Sequence, residues 1–393
     1  MGEHDSSAFL KVLRREFDRI RSSWIYIFSL LILPLLSFAI VTAIFSRGVP
    51  RDLPIGVVDQ DHSKLSREVV RSADATPIAA TTKQFASRKA AYGAMQQGHI
   101  HGFLYIPQDA EKKAMRSEAP QMVLYIDNTN IVTGGLLRTG ISKAVKTLSA
   151  GLEVQKLMKQ GKSHTGAIAS AMPVSLHEHV LFNPFGSYSY FLLTGLLPLM
   201  IVVFTFLTTT YAFGIELKEG TGPVLLQKAG GSIRIAMAAK MLPYTIVYLM
   251  NMFLVNYILF EYVDIPLRGS YGMIIISEFV MIVAYQLVAL FLVSITSNLR
   301  LSLSLGSAYT MMALTFAGLT FPFDGMPVAA RIFSALFPYR FWLDSFLSQT
   351  LRGEEIIYTI YPVYMVIIFI IIGLLSLPFL KRRMAEARFH GKL

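Results

Sequence analysis

The residues best suited to chemistry in this chain include two histidine pairs. His99 with His101 and His177 with His179 have the H-x-H spacing, which places both imidazoles on one face of a strand and suits zinc or copper. The chain has no cysteine, and no acidic pair lies close in sequence. The pattern therefore favours surface or turn positions and predicts no metal site.

A second candidate is KQGKS at 159–163, which resembles the end of a phosphate-binding loop. The full pattern requires glycine at 156, where the chain has Lys156. No strand is predicted before it. Because no Ser-His-Asp spacing or paired carboxylates occur either, we predict no catalytic residue, no nucleotide site and no enzyme.

The third candidate is Glu278, a carboxylate near the start of an apolar run at 271–295. A carboxylate inside a membrane is costly and is a functional candidate by default. The alternative is a position at the membrane surface, and the sequence leaves both open. The scarcity of other charges in the apolar runs argues against an ion-coupled carrier.

The elements that must position these residues are mostly membrane helices. The chain is 53% hydrophobic and 16% charged, whereas a soluble domain has about 25% charged residues. The apolar residues concentrate in six runs, each near the length of about 20 residues that a spanning helix needs. They lie at 24–45, 190–213, 235–260, 271–295, 301–321 and 356–380. The first lacks a small-residue cleavage site, which predicts a retained anchor.

The net charge of +11 reflects membrane topology better than nucleic-acid binding. Basic residues cluster at the ends of the apolar runs, mainly on the side that carries both termini. The positive-inside rule then places both termini in the cytoplasm and the 46–187 segment outside.

The remaining segments have distinct patterns. Residues 1–23 predict a cytoplasmic amphipathic helix, with a simple positive flank as the alternative. Segment 46–187 alternates strands such as IGVVD and HGFLYIP with helices at 85–97 and 131–159, which predicts an α/β domain. A helix after Asp61 or Ser63 is also predicted.

Residues 188–393 hold the five later spans. Within them, 322–355 is apolar but contains Pro322, Pro327 and Pro338, which predicts a re-entrant or interfacial helix pair. Tyr339 and Trp342 suit the membrane interface. The predicted fold class is an α-helical polytopic membrane protein with six transmembrane helices, an N-terminal amphipathic helix and an inserted periplasmic α/β domain between helices one and two.

Spans two and five concentrate polar and aromatic residues. One explanation is ordinary helix packing through hydroxyl side chains, and the other is a path for an amphipathic substrate. The candidate path residues are Phe204, Thr205, Thr208, Tyr211, Tyr309, Met312 and Phe316.

Several segments, in this order, resemble the ABC-2 type permease subunits of ABC exporters. They are IGVVDQDHSKLSREVV, QQGHIHGFLYIPQDAEKK, VLYIDNTN, ELKEGTGPVLLQKAGGS and FAGLTFPFDGMPVAARIFSALFPYRFW. The chain is most similar to the Gram-negative multidrug-type branch, of type V architecture, with a large domain between spans one and two. Gly222-Pro223 departs from the longer helix usual in relatives.

The resemblance implies a half-transporter in the bacterial inner membrane. It implies a second copy or a paralogue, and a separate ABC ATPase subunit that binds ATP and Mg, with no cofactor on this chain. A periplasmic adaptor with an outer-membrane channel, and membrane lipid, are further expected partners, and nucleic acid is not. The expected function is ATP-driven export of a hydrophobic or amphipathic substrate.

Coupling to the ATPase is expected at the N-terminal helix and the 214–233 loop. Charged residues there would pair with the ATPase, and the apolar ones would dock into its groove. The predicted coupling residues are Arg14, Phe17, Glu216, Lys218, Glu219, Gly220, Thr221, Leu225 and Leu226. Ordinary solvation is the alternative for the charges. An alternative function is a non-transporting membrane receptor or assembly protein with an exposed periplasmic domain.

Overall fold

The protein folds as two compact units. The structure, a computed structural model, describes residues 3–46, 48–116, 118–173, 178–184 and 186–391. One unit, here called the membrane unit, comprises Met1–Gly48 and Val180–Leu393. The other, the inserted domain, is Val49–His179, which lies within the predicted 46–187 segment.

The chain begins with the amphipathic helix that the spacing predicts. Helix α1 covers Glu3–Ser22 and packs against a later helix through a face that includes the buried Val12 and Glu16. Leu10 and Phe17 remain more than half exposed. Helix α2 follows at Trp24–Phe45, with the predicted bounds.

The inserted domain contains a four-stranded mixed sheet. Its order is β2-β1-β3-β4, in which β1 is parallel to β2 and β3, and β4 is antiparallel to β3. The strands are β1 Leu53–Asp59, β2 Ala79–Gln84, β3 Gly102–Ile106 and β4 Val123–Ile126. Strand β2 was not predicted, because its sequence AATTKQ is polar at its exposed end.

In the described part of this domain, five helices accompany the sheet. They are α3 Lys64–Asp74, α4 Arg88–Gln96, α5 Ala110–Met115, α6 Ile131–Lys159 and α7 His164–Ala171. Ser63 caps α3 by accepting a hydrogen bond from the Ser66 amide at 3.0 Å, as predicted for one of two candidates. Helix α6 has the predicted bounds and packs against α3.

The rest of the membrane unit is helical. Its helices are α8 Tyr188–Lys218, α9 Gly222–Lys228, α10 Ile233–Tyr262, α11 Tyr271–Thr296, α12 Leu299–Phe316, α13 Val328–Ser334, α14 Pro338–Leu347, α15 Ile356–Leu375 and α16 Leu377–Ala385. Helices α11 and α15 approach closely at Gly373, where a Cβ would lie 2.7 Å from the Leu287 carbonyl oxygen. Glycine permits this contact, as is common between membrane helices.

Five helices in the described residues are long and apolar enough to cross a membrane. They are α2, α8, α10, α11 and the continuous segment Ile356–Ala385, which confirms five of the six predicted spans. The predicted span at 301–321 is the shorter α12, whose Arg300 and several serines make it less apolar. It nevertheless packs against α8 within the unit.

The proline-rich segment forms two short helices, α13 and α14, as its broken pattern predicts. The interfacial position predicted for Tyr339 and Trp342 is wrong, because both side chains are fully buried. Helix α14 packs against α11 and α15. The Tyr339 hydroxyl donates to the Gly195 carbonyl of α8, and the ring stacks on Trp342.

Candidate coupling site

The strongest polar feature of the membrane unit is Glu216, near the end of α8. Its side chain is fully buried and is surrounded by three cations. Arg15 donates to both carboxylate oxygens, at 2.8 and 2.9 Å. Arg19 donates at 2.5 Å and Lys240 at 3.0 Å.

A second buried carboxylate extends this arrangement. Glu16 on α1 accepts a hydrogen bond from Lys240 at 2.6 Å and another from the Tyr244 hydroxyl, both of α10. Lys240 therefore lies between two carboxylates, and neither it nor they are exposed. A buried charge is tolerated when partners compensate it.

We call this set the ionic cluster. It comprises Arg15, Glu16, Arg19, Glu216, Glu219 and Lys240. Its basic and acidic members balance, so the cluster is formally neutral. Burial alone would lower the pKa of Arg15, but the hydrogen bond and charge of Glu216 raise it above its ordinary value.

The ionic cluster connects four elements of the membrane unit. Arg15 and Arg19 are four residues apart and share one face of α1. They reach α8, while Glu16 reaches α10. The Thr221 hydroxyl, at the start of α9, donates to Glu216 at 2.5 Å. The arrangement can therefore hold α1 and α9 against the two long helices as one body.

Helix α9 is fixed to the unit on its inner side. Leu225 and Leu226 are buried. A Cβ at Gly222 would lie 2.6 Å from the Met384 carbonyl of α16, so this close contact requires the glycine that distinguishes the sequence here. Its outer side exposes Val224 and Lys228.

The predicted coupling residues divide between these two sides. Arg14, Phe17, Lys218 and Glu219 have exposed side chains. Three others were expected to contact a partner directly, but their side chains face the interior. These are Glu216, Leu225 and Leu226. Gly220 and Thr221 are half-buried.

Sequence reasoning missed the residues that neutralise Glu216. Lys240 lies in the third turn of α10, within the predicted span 235–260, but the sequence did not identify it as a partner of Glu216. A useful signal was available, because a lysine and a glutamate inside adjacent long apolar helices require partners. That signal does not apply to Arg15, Glu16 and Arg19, because they lie outside the long apolar helices, so their contacts with Glu216 and Lys240 were not predicted.

The predicted path residues of α8 mainly contact α10 and α2. Thr208 shares a 2.6 Å hydrogen bond with the Tyr248 hydroxyl, which also donates to the Phe204 carbonyl at 3.0 Å. Tyr211 packs against an aromatic ring of α2 with centroids 5.5 Å apart. Thr205 is buried, and its hydroxyl has no hydrogen-bond partner in the described chain.

Two path residues of α12, Tyr309 and Phe316, pack against Phe337, and Tyr309 also lies 5.6 Å from the Phe206 ring of α8. The Tyr309 and Phe337 rings are 5.1 Å apart, and Phe316 stacks on Phe337 at 5.9 Å. Met312 is 38% exposed. Thr208 and Tyr211 therefore contact α10 and α2, whereas Tyr309 and Phe316 contact Phe337, although α8 and α12 pack together.

Glu278 lies in the interior of the membrane unit. It is 1% exposed, and Oε2 accepts a 3.1 Å hydrogen bond from Asn256 of α10. Its other oxygen, Oε1, and the side-chain oxygen Oδ1 of Asn256 have no partner among the residues described. This pair joins α10 to α11, and no described cation forms an ion pair with Glu278.

Among the described residues, the remaining motifs do not assemble into a site. In the described part of the chain, no group of three His, Cys, Asp or Glu residues could hold a metal ion. His99 is exposed and His101 half-buried, while His177 lies outside the described residues. KQGKS forms the turn between α6 and α7, where Ser163 caps α7 and Lys162 donates to Ser170 at 2.8 Å.

Five apolar helices of spanning length in the described residues indicate a multi-pass membrane protein. The model of the ABC-2 family transporter protein family matches residues 24–377, so the chain belongs to this family of transmembrane permease subunits, which are not catalytic. This confirms the resemblance seen in the sequence. The match begins after α1, so the α1 side of the ionic cluster lies outside it.

The chain is also similar to curated relatives. It is 21% identical over 346 residues to the probable multidrug ABC transporter permease YbhS of Escherichia coli (strain K12), covering 86% of each chain. The protein of the same name from Escherichia coli O157:H7 matches equally.

Proposed function

We propose that this protein is the transmembrane subunit of a type V ABC exporter that moves a hydrophobic or amphipathic substrate out of the cytoplasm or inner membrane. A separate ATPase subunit would bind ATP and Mg and supply the hydrolysis. The functional unit would contain two copies, or this chain with a paralogue. The family membership and the multidrug permease relative support this proposal.

The proposed location is the bacterial inner membrane, with both termini in the cytoplasm. The ionic cluster would then lie at the cytoplasmic end of α8, and the inserted domain would be periplasmic. A periplasmic adaptor and an outer-membrane channel are proposed further partners of that domain. The distribution of basic residues supports this orientation.

The ionic cluster is the observation that best supports the proposed coupling between the ATPase and the membrane helices. Because it links α1 and the start of α9 to α8 and α10, a displacement of α9 would move these helices together. A buried, mutually neutralised set of charges resists separation, since losing one partner leaves an uncompensated charge. Coupling would thus pass through packed, ion-paired elements.

The proposed ATPase contact is the outer side of α9 with its exposed neighbours. Val224 is 47% exposed there, and Lys228, Lys218 and Glu219 are also exposed. Phe17 adds an exposed apolar side chain on α1. A mixed apolar and charged surface of this kind suits a soluble protein partner. The buried Glu216, Leu225 and Leu226 would hold the exposed side of α9 in position by packing beneath it.

The test is co-purification of the full chain with its ATPase after Val224→Asp. We expect loss of the bound ATPase and of transporter-stimulated hydrolysis, because a charge would enter an apolar contact. Val328→Asp is the matched control, since Val328 is 63% exposed on α13, and it should retain both properties.

Unchanged assembly and hydrolysis in the Val224→Asp variant would contradict the proposed contact. If the unmodified chain captures no ATPase at all, the receptor or assembly function is favoured instead. Thermal unfolding of each variant shows whether it is folded.

A further inference from the structure

A cavity of about 750 Å³ lies in the membrane unit at the other end of α8 from the ionic cluster. Its wall includes Thr194, which precedes Glu216 by roughly 30 Å along the helix. The ends of α8, α12 and α15 and the short helices α13 and α14 surround it. This volume is in the range of about 300–1,000 Å³ that suits a small organic ligand.

The cavity is amphipathic. Much of its wall is apolar, with side chains that include Phe191, Leu343, Leu347, Leu351 and Met365. Charged residues occupy one part of the lining. These are Asp324, Arg340, Asp344 and Arg352.

The two arginines of this lining differ in their partners. Arg352 is neutralised by Asp344 at 2.7 Å and by Glu354 at 3.2 Å. Arg340 has no carboxylate within ion-pair distance in the described part of the chain. It donates to the Ser334 hydroxyl at 3.1 Å.

Aromatic rings hold the Arg340 guanidinium. It lies 3.6 Å from the Phe323 ring centroid and 5.0 Å from that of Phe341. Burial lowers the pKa of Arg340, and Asp344 offsets this only in part. Arginine nevertheless stays charged in proteins, so a fixed, partly desolvated cation with unused donors faces the cavity.

We propose that this cavity binds an anionic amphiphile. A carboxylate or phosphate headgroup would accept hydrogen bonds from Arg340, for which the planar guanidinium is well suited. The apolar body would lie along Leu343, Leu347 and Phe191. This site is independent of the ATPase contact, and its occupant is either a free amphiphile or an anionic membrane lipid.

The test uses the purified full chain in an uncharged maltoside detergent. The probe is dansylated undecanoic acid, followed by its fluorescence and corrected for binding to empty micelles. We expect saturable binding of the acid and weaker binding of its methyl ester. Arg340→Gln should weaken acid binding about tenfold, the order expected for a hydrogen bond to a charged group, and leave ester binding unchanged.

Control variants separate recognition from folding. Arg340→Lys keeps the charge but loses the planar donors, so its acid affinity should lie between those of the unmodified chain and Arg340→Gln. Arg331→Gln removes a charge on α13 that does not line the cavity and should have no effect. Leu347→Trp should block binding of both probes by filling the cavity while thermal unfolding stays near that of the unmodified chain.

Competition identifies the source of the ligand. Displacement of the probe by phosphatidylglycerol, but not by phosphatidylcholine, supports an anionic lipid. Acid binding that neither lipid displaces supports a free amphiphile. Equal affinity for acid and ester, tighter binding of the corresponding amine, or unchanged acid binding in Arg340→Gln would overturn the proposal.

Discussion

Glu216 and Glu278 are both carboxylates on long membrane helices, and both are at most 1% exposed. Glu216 has three cationic partners, whereas Glu278 has a single amide partner, Asn256. The first therefore depends on charge balance and the second on one hydrogen bond. Burial of an acidic residue is thus not enough to define its role, and its neighbours decide which interactions its loss would disrupt.

The largest effect is expected for Glu216→Ala. It leaves Arg15 without its ion-pair partner and Lys240 with Glu16 alone, and breaking such a buried pair costs about 3–5 kcal/mol. Unfolding in mixed micelles of dodecyl sulfate and maltoside measures the loss. Glu261→Ala, at an exposed carboxylate near the far end of α10, is the control and should change stability by under about 0.5 kcal/mol. Equal free energies of unfolding for Glu216→Ala and Glu261→Ala would contradict the conclusion that Glu216 depends on charge balance.

An intermediate effect is expected for Asn256→Ala. The Glu278 carboxyl group then loses its hydrogen bond, and an unsatisfied buried polar group costs about 1–3 kcal/mol. Glu278→Gln is the informative partner variant. Its amide keeps an acceptor for the Asn256 amide and removes the charge, so its loss of stability should stay below about 1 kcal/mol. The same unfolding assay compares them. A larger loss in Glu278→Gln than in Asn256→Ala would show that the carboxylate itself is required.

The smallest effect is expected for Glu219→Ala. Its ion pair with Arg19 is 2.6 Å long, but the glutamate side chain is 47% exposed, and exposed pairs contribute about 0.2–1 kcal/mol. Added salt should reduce the difference further. A loss of stability in Glu219→Ala that is independent of salt and as large as that of Glu216→Ala would contradict this. It would mean that the exposed Arg19–Glu219 pair stabilises the protein as much as the buried pairs do.

The sequence predicts the parts of the fold that depend on local composition. The run 24–45 and the helix at 131–159 have their observed bounds because periodicity and capping residues act locally. The predicted span at 301–321 was too long at its C-terminal end, because Gly318 adopts a positive φ just after α12 ends. The prediction for Trp342 was wrong because an aromatic residue in a broken apolar segment can also enter the core.

The ionic cluster could not be predicted in the same way. Arg15 and Glu216 are 201 residues apart, and Glu16 and Lys240 are 224 apart. The distribution of basic residues assigned the segments around these residues to the same side of the membrane, but it did not predict which residues form ion pairs. The expected exposure of Glu216 followed from its place in a polar stretch, whereas three-dimensional packing placed it inside.

The sequence separation within the ionic cluster has a consequence for biosynthesis. Helix α1 leaves the ribosome before its partners on α8 and α10 exist, and at about 5–20 residues per second the delay for 201 residues is roughly 10–40 s. During this time Arg15, Glu16 and Arg19 must remain hydrated. Apolar side chains such as Leu10 and Phe17, which are still exposed after folding, could hold the nascent helix at the bilayer surface until Glu216 and Lys240 arrive. Docking of α1 would then be a late, post-insertion step in maturation of the membrane unit.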